Sequence, residues 1–134
     1  MAYVLGDLAT KVAALISYTE GTNIFLGTLP PTPDVCAAVY ETGGTSPVYA
    51  LGQAAPIFHN AGAQFVFRGG PSDYAGPRAV AKTAFDGLTA LQNVDLTGVR
   101  YYFFSPQQNP FPMGPDENGR VRIAFNMLLM KDPS

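Results

Sequence analysis

The feature that most constrains the fold is an alternation of side chains from Arg120 to Met130. One side of an extended chain would carry large apolar residues: Val121, Ile123, Phe125, Met127 and Leu129. The other side would carry Arg120, Arg122, Ala124 and Asn126. Because successive side chains of a strand point to opposite faces, this pattern predicts a long strand with one buried face. A register slip of one residue would put Arg122 in the core, so the pairing is strongly specified.

Two amphipathic helices are predicted upstream of this strand. The first covers residues 8–19, with Asp7 as N-cap and Gly21 as C-cap. Its apolar stripe consists of Leu8, Val12, Leu15 and Ile16. Ser72 or Asp73 can cap the second helix, and Gly76 is the latest start of its regular part, because Pro77 is tolerated only in a first turn. Its apolar face consists of Ala81, Ala84, Phe85, Leu88 and Leu91.

Short apolar or aromatic runs predict the remaining strands. They lie at residues 24–26, 35–40, 56–60, 64–68 and 99–104. The run at 35–40 is apolar on both sides, which fits a strand buried on two faces but also a buried helical turn. Pro56 favours an edge position for the third run. The glycine-rich residues 41–47, the connection 93–98 and the proline-rich residues 105–119 are predicted to be loops.

The order of these elements predicts an α+β fold for residues 1–134 as a single domain. Two helices are too few to cover both faces of a sheet. We therefore expect a mostly antiparallel sheet with two helices packed on one face, in two layers. The other face would then meet water or another subunit.

Composition favours a neutral surface and excludes several partners. Charged residues make up 13% of the chain, about half the usual ~25%, which fits burial against other copies or a small neutral monomer. The net charge of −2 and the lack of a basic run argue against direct binding of nucleic acid. No apolar run approaches the ~20 residues of a membrane span. A start without a signal peptide and the single Cys36 fit synthesis in a reducing cytoplasm.

The sequence contains no recognisable catalytic, metal-binding or phosphate-binding motif. It therefore predicts neither an enzyme nor a cofactor or metal site. His59 is the one histidine and has no acidic or thiol residue at ligand spacing. Cys36 lies among valine and alanine, which makes its thiol inert. The sequence from Asp116 breaks the calcium-loop pattern at Arg120, and Gly43-Gly44-Thr45-Ser46 lacks the lysine of a phosphate loop.

Three arginines on predicted strands have two open interpretations. Arg68, Arg120 and Arg122 each stand among apolar neighbours. They could extend along an open sheet face toward water. Alternatively, their planar guanidinium groups could pair with carboxylates of another subunit, such as Glu41, Asp116 or Glu117.

Three stretches taken together resemble a known family. They are Val35–Gly44, the strand Gln64–Gly69 followed by Tyr74 and a helix, and Pro112–Arg120 before the last strand. In this order and in a chain of this size, they resemble the tail terminator (tail completion, "minor capsid") proteins of long-tailed bacteriophages. The resemblance implies a structural virion protein that assembles in the host cytoplasm. It implies a ring, typically of six copies, that caps the tail tube and meets the head connector in the neck.

The resemblance and the element geometry together give the candidate contact residues. The subunit-interface candidates are Arg68, Tyr74, Phe104, Asp116, Glu117, Arg120 and Arg122. The candidates for contact with the tube or connector are Gly43, Gly44, Thr45 and Ser46. An acidic chain suits a channel through which DNA passes without specific binding.

Three alternatives stay open at this point. One is a different neck, head-completion or tail-tube component. Another is a nucleic-acid binder, which the lack of a basic run disfavours. The other, from a different class, is a small ligand-binding or enzymatic α+β domain that uses His59 and the 105–119 loop.

Overall fold

The computed structural model describes residues 4–96 and 98–133. Its two helices and seven strands follow in this order: α1 Val4–Ile16, β1 Ile24–Leu26, β2 Cys36–Tyr49, β3 Pro56–Pro71, α2 Ala75–Thr89, β4 Gln92–Leu96, β5 Val99–Pro106, β6 Phe111–Pro115 and β7 Arg120–Lys131. The strands form one sheet in the order β1-β2-β3-β7-β5-β4, with β6 also paired to β7. All described pairs are antiparallel except β1 with β2. The predicted α+β class with a mostly antiparallel sheet is confirmed.

The last strand has the central place that its alternation predicts. β7 pairs with β3 on one side and with β5 and β6 on the other. Its predicted apolar face is buried at Ile123, Phe125, Met127 and Leu129, each at most 1% exposed. Val121 is partly buried and packs against the same core.

An aromatic cluster marks the centre of this core. The ring of Phe125 stacks on those of Phe65 and Phe67, at centroid distances of 5.0 and 5.9 Å. Phe85 of α2 meets Phe125 edge-on at 5.3 Å. Aromatic pairs in such geometries stabilise a core beyond the apolar area that they bury. This cluster therefore ties α2 to the middle of the sheet.

Both helices pack on this same face, as predicted. Leu8 and Val12 of α1 and Leu88 of α2 are fully buried in the core shared with β3 and β7. The glycine at position 87 has a packing role, because a Cβ there would lie 2.7 Å from Cδ2 of Leu15 in α1. It therefore allows the two helices to approach closely, which offsets its low helix propensity.

The predicted ends of α1 are wrong. The helix starts at Val4, so Asp7 lies inside its first turn. The Asp7 carboxylate is buried and accepts a hydrogen bond of 2.8 Å from the Tyr101 hydroxyl of β5, instead of capping the helix. The helix stops at Ile16 because Ser17 takes a φ of 60°. Gly21 lies beyond it, in the turn before β1.

The predicted loop 41–47 is wrong, since β2 and β3 form one long hairpin through this region. β2 continues to Tyr49, and the predicted segments 56–60 and 64–68 are parts of the single strand β3. Two glycines allow the strands to touch: a Cβ on Gly44 would lie 2.2 Å from the Asn60 carbonyl oxygen. One on Gly62 would lie 2.1 Å from Oγ1 of Thr42. Here glycine serves a close approach at an irregular register, not a flexible loop.

Two further predicted loops contain strands. Residues 93–98 include most of β4, which pairs with β5. Residues 105–119 include β6, which pairs with β7 at Phe111↔Ala124 and Pro115↔Val121. The prolines of β6 are compatible with an edge strand, because the outer edge needs no N–H donors. Within residues 4–96 and 98–133, no helix is long and apolar enough to cross a membrane.

Candidate subunit interface

The sheet face that turns away from the helices is polar at both ends of its central strands. Three rows of paired residues run across β2, β3 and β7 on this face. They are Cys36, Arg68 and Arg122; Ala38, Val66 and Ala124; and Tyr40, Gln64 and Asn126. The middle row is apolar and buried, each member at most 3% exposed. We call this surface the open face.

A depression of about 680 Å³ lies on the open face and is here called the open-face pocket. Its apolar walls include Leu29, Pro31, Val66, Met113 and Pro115. The walls come from β3, from the proline-rich segment before β2, and from β6 with the turn that follows it. The predicted 105–119 loop therefore contributes one rim of a concave surface.

Arg68 holds the proline-rich rim in place. Its side chain is 3% exposed. Nε donates to the Asp34 carbonyl at 3.0 Å, and Nη2 donates to the carbonyls of Pro30 and Pro33 at 2.6 and 2.7 Å. Charged donors make stronger bonds than neutral ones, so these three carbonyl contacts stabilise a buried guanidinium. In the isolated chain this interface candidate is engaged internally.

Arg120 ties the same rim to the turn after β6. Nε donates to Oδ2 of Asp116 at 2.8 Å, and Nη1 donates to Oδ1 of Asp34 at 3.1 Å and to the Pro31 carbonyl. Burial opposes the charge of Asp116. Even so, backbone N–H groups of Arg120 and Asn118 and the Arg120 guanidinium hold the pKa of Asp116 below its ordinary value. Two of the interface candidates therefore pair with each other within one chain.

Arg122 and Glu117 are the charges of the pocket that are open to a partner. The Arg122 side chain is half-buried, and its Nε donates to the Gly114 carbonyl at 3.3 Å. Among the described residues, no carboxylate forms an ion pair with Arg122 or hydrogen-bonds to it. Glu117 is exposed in the turn between β6 and β7 and also lines the pocket. The two side chains offer one positive and one negative group to a docking segment.

The far end of the β2–β3 hairpin projects past the last pairing between β3 and β7. That pairing is His59↔Lys131. Beyond it, Thr45 pairs with Asn60 at the root of the hairpin, and among the described residues 46–58 pair only with each other. We call residues 45–58 the hairpin arm. Apolar side chains are exposed on it: Tyr49 at 55%, Leu51 at 104% and Ile57 at 40%. Its base is anchored by Phe58, whose ring meets Tyr102 edge-on at 5.2 Å.

Comparison with known proteins identifies the family. The sequence model described as "Bacteriophage tail terminator protein" matches residues 5–132. The chain belongs to the bacteriophage tail terminator family. A solved structure, "Virion of native gene transfer agent (GTA) particle", has the same fold, with 14% identity and a TM-score of 0.62. The alignment covers 98% of this chain and 100% of that one. No curated protein matches the chain.

Membership of the terminator family confirms the resemblance noted in the sequence. It makes this chain a structural, non-enzymatic component of a virion, as predicted. The enzymatic alternative is therefore set aside.

The two aromatic interface candidates occupy different environments in the terminator. Tyr74 precedes α2 and is 50% exposed. Phe104 is 4% exposed and stacks on Tyr101 at 5.6 Å, whereas the ring beside it, Phe103, is 45% exposed. A contact between Phe104 and another subunit stays a prediction, and in the isolated terminator its ring belongs to the core.

The candidates for tube or connector contact lie at the root of the hairpin arm. Gly43 and Gly44 belong to β2, where Thr42 pairs with Gly62 and Thr45 with Asn60. The backbone at Thr45 and Ser46 continues the same strand into the arm. Their contact with the tube or connector stays a prediction. The exposed residues of the arm were missed, although no Asp, Glu, Lys or Arg occurs between Glu41 and Arg68.

The two residues considered for chemistry lie apart in the terminator. Cys36 is fully buried, and burial raises the pKa of its thiol, while Arg68 and Arg120 offset this only in part. His59 lies on β3 opposite Lys131. In the part of the chain that the structure describes, no group of three or more His, Cys, Asp or Glu side chains could hold a metal ion.

Proposed function

We propose that the protein closes a homohexameric ring that caps the tail tube and joins it to the head connector. The observation that carries this proposal is the match of the terminator family to residues 5–132. A cap of this kind stops further addition of tube subunits and offers a new surface to the neck. The activity is therefore one of shape and contact, without bond chemistry.

The surface of the chain supports this proposal. A ring of identical subunits needs two different, complementary patches on each copy, and it closes when the rotation closes. The open face with its pocket and the hairpin arm are two such patches. A charged fraction of 13% fits a chain whose flanks are covered by neighbours.

The net charge of −2 is compatible with a channel for DNA. Cations bind phosphates and release counterions, so a strongly basic lumen would retain the passing duplex. A weakly acidic ring lets DNA pass without specific binding.

The proposal is tested by deleting the gene from the producing virus and imaging its lysate. We expect heads and tails that do not join, and tubes of irregular length, because the tube end stays open. Supplying the intact chain should restore joined particles of uniform length. Joined particles with normal tails in the deletion strain would contradict the proposal.

The copy number separates a terminator ring from the alternative neck or tube components. Light scattering on the protein bound to purified tubes should give six copies of the 14.2 kDa chain per tube end. Copies distributed along the whole tube would instead identify a tube subunit. A single copy per particle would contradict a ring.

A further inference from the structure

Three exposed apolar side chains on the hairpin arm need an explanation. Tyr49, Leu51 and Ile57 stand on a two-stranded ribbon beyond the support of β7. An isolated ribbon of two strands is marginally stable in water, and its apolar tip gains no burial within its own chain. Such a feature is typical of a segment that is completed by another molecule.

We infer that the hairpin arm of one copy seats its apolar tip in the open-face pocket of the next copy around the ring. This inference rests on the proposed ring and assigns the contact that closes it. The partner is a second copy of this chain, and the contact is head to tail, because the tip and the pocket are different surfaces.

The geometry of β3 excludes docking of the arm in its own pocket. Ile57 at the arm and Val66 in the pocket belong to the same strand, which is paired continuously with β7 from His59 to Arg68. Nine residues of strand separate them, or about 30 Å at ~3.3 Å per residue. The tip therefore reaches a pocket of this kind only on another molecule.

The pocket is held in shape before any partner arrives. Arg68 and Arg120 are 3% and 6% exposed, and together they bind the carbonyls of Pro30, Pro31, Pro33 and Asp34. Burying guanidinium groups is costly unless their donors are satisfied. Here the donors fix the rim that contributes Leu29 and Pro31 to the pocket. A preformed receptor loses less conformational entropy when it binds.

Charge and size match the arm to the pocket. The pocket offers Arg122 and Glu117, so a charged segment would bring a like charge against one of them. The chain carries no Asp, Glu, Lys or Arg between Glu41 and Arg68, so the arm brings none. A volume of about 680 Å³ lies within the ~300–1,000 Å³ that takes a drug-sized ligand, and so accommodates a few side chains. The Tyr49 hydroxyl can donate to Glu117 or accept from Arg122.

Cysteine crosslinking between two preparations tests this contact. One preparation carries Leu51→Cys and the other Met113→Cys, and they are mixed before rings form on tubes. The native Cys36 is fully buried and does not compete. Under mild oxidation we expect a covalent dimer in the mixture and only background in either preparation alone. The control is Leu26→Cys mixed with Met113→Cys, since Leu26 is an exposed leucine outside the arm, and it should give background only.

The other outcomes are decisive as well. Intact rings without the mixed dimer would overturn the arm contact and leave the terminator function standing. A dimer in the Leu51→Cys preparation alone would show tip-to-tip pairing and would also overturn it. A wild-type chain that never closes a ring would remove the proposed function and the arm contact together.

A second variant separates a neighbouring copy from the tube as the docking site. Leu51→Ser with Ile57→Ser should leave the thermal unfolding midpoint unchanged, because both side chains are exposed, and should abolish ring closure. Leu26→Ser is the control and should still form rings. Normal rings of the double variant that fail to bind tubes would assign the arm to the tube instead and contradict the inference.

Discussion

The two faces of the same three strands differ in what they contact. On the helix side, Phe65, Phe67 and Phe125 are at most 2% exposed and belong to the core that contains buried residues of α1 and α2. On the open face, a thin apolar row is bordered by Arg68, Arg122 and a pocket. Because successive side chains of a strand point to opposite faces, one strand contributes both to the core under the helices and to the open face. The helix side therefore holds the fold together, and our proposal assigns assembly to the open face and the arm.

The largest effect on the free energy of unfolding is expected when a core side chain on the helix side is truncated. Phe125→Ala removes a ring that stacks on two others and meets a third edge-on. We expect a loss of about 3–5 kcal/mol in the free energy of unfolding, measured by urea denaturation. Phe103→Ala, at a ring that is 45% exposed, is the control and should cost far less. Equal losses would break the distinction between the two faces.

A smaller loss is expected when the pocket rim is released. Arg68→Met keeps much of the side-chain volume but leaves three carbonyls of the rim without their donor. We expect a loss of about 2–3 kcal/mol in the free energy of unfolding, together with weaker ring closure. If the variant keeps its full stability and still closes rings, the hydrogen bonds from Arg68 to the rim are not needed to hold the pocket in shape.

The sign of the pH dependence follows from Asp116. Its pKa is lowered in the folded chain, so its stabilising effect is complete above the unfolded pKa and is lost as pH falls through the folded one. Unfolding should therefore become easier below about pH 4. Asp116→Asn should reduce the stability at neutral pH and flatten its fall in acid, as measured by urea midpoints across pH. An unchanged acid profile would contradict the ion pair with Arg120.

The smallest effect on stability, but a clear one on assembly, is expected at the open charge of the pocket. Arg122→Glu changes a half-buried side chain without a carboxylate partner among the described residues. The thermal midpoint should move little, as for a surface substitution, while ring formation on tubes should fail. Loss of monomer stability with normal rings would reverse the roles assigned to the two faces.

The sequence predicts those parts of the fold that depend on local pattern. The alternation in β7 is enough to predict the strand and its buried face, because the period of two is a property of the strand itself. The sequence predicts a loop at Gly43-Gly44, where the structure has a hairpin. Glycine is compatible both with a flexible turn and with a close approach of two strands. What decides between them is Gly62, in the opposite strand. The local sequence around Gly43 and Gly44 contains no information about Gly62 in the other strand.

The same limit explains the misread polar residues. Asp7 has the chemistry of an N-cap, yet it binds the Tyr101 hydroxyl, 94 positions away in the chain. The sequence leaves two interpretations open for Arg68 and Arg120, because both reach a distant proline-rich segment. Arg68 binds carbonyls of that segment, and Arg120 binds its Asp34 carboxylate and Pro31 carbonyl as well as Asp116. The pocket depends on the long-range contacts of Arg68 and Arg120, and the arm depends on the pairing of β2 with β3. The candidate site could therefore be foreseen only in its individual residues.

Hydrogen exchange of the chain before and after assembly on tubes tests the division between the two faces most directly. We expect added protection in peptides of the hairpin arm and of the turn around Glu117, with little change in α1 and α2. Added protection confined to the two helices, with the arm and the open-face pocket as exposed as before, would contradict it.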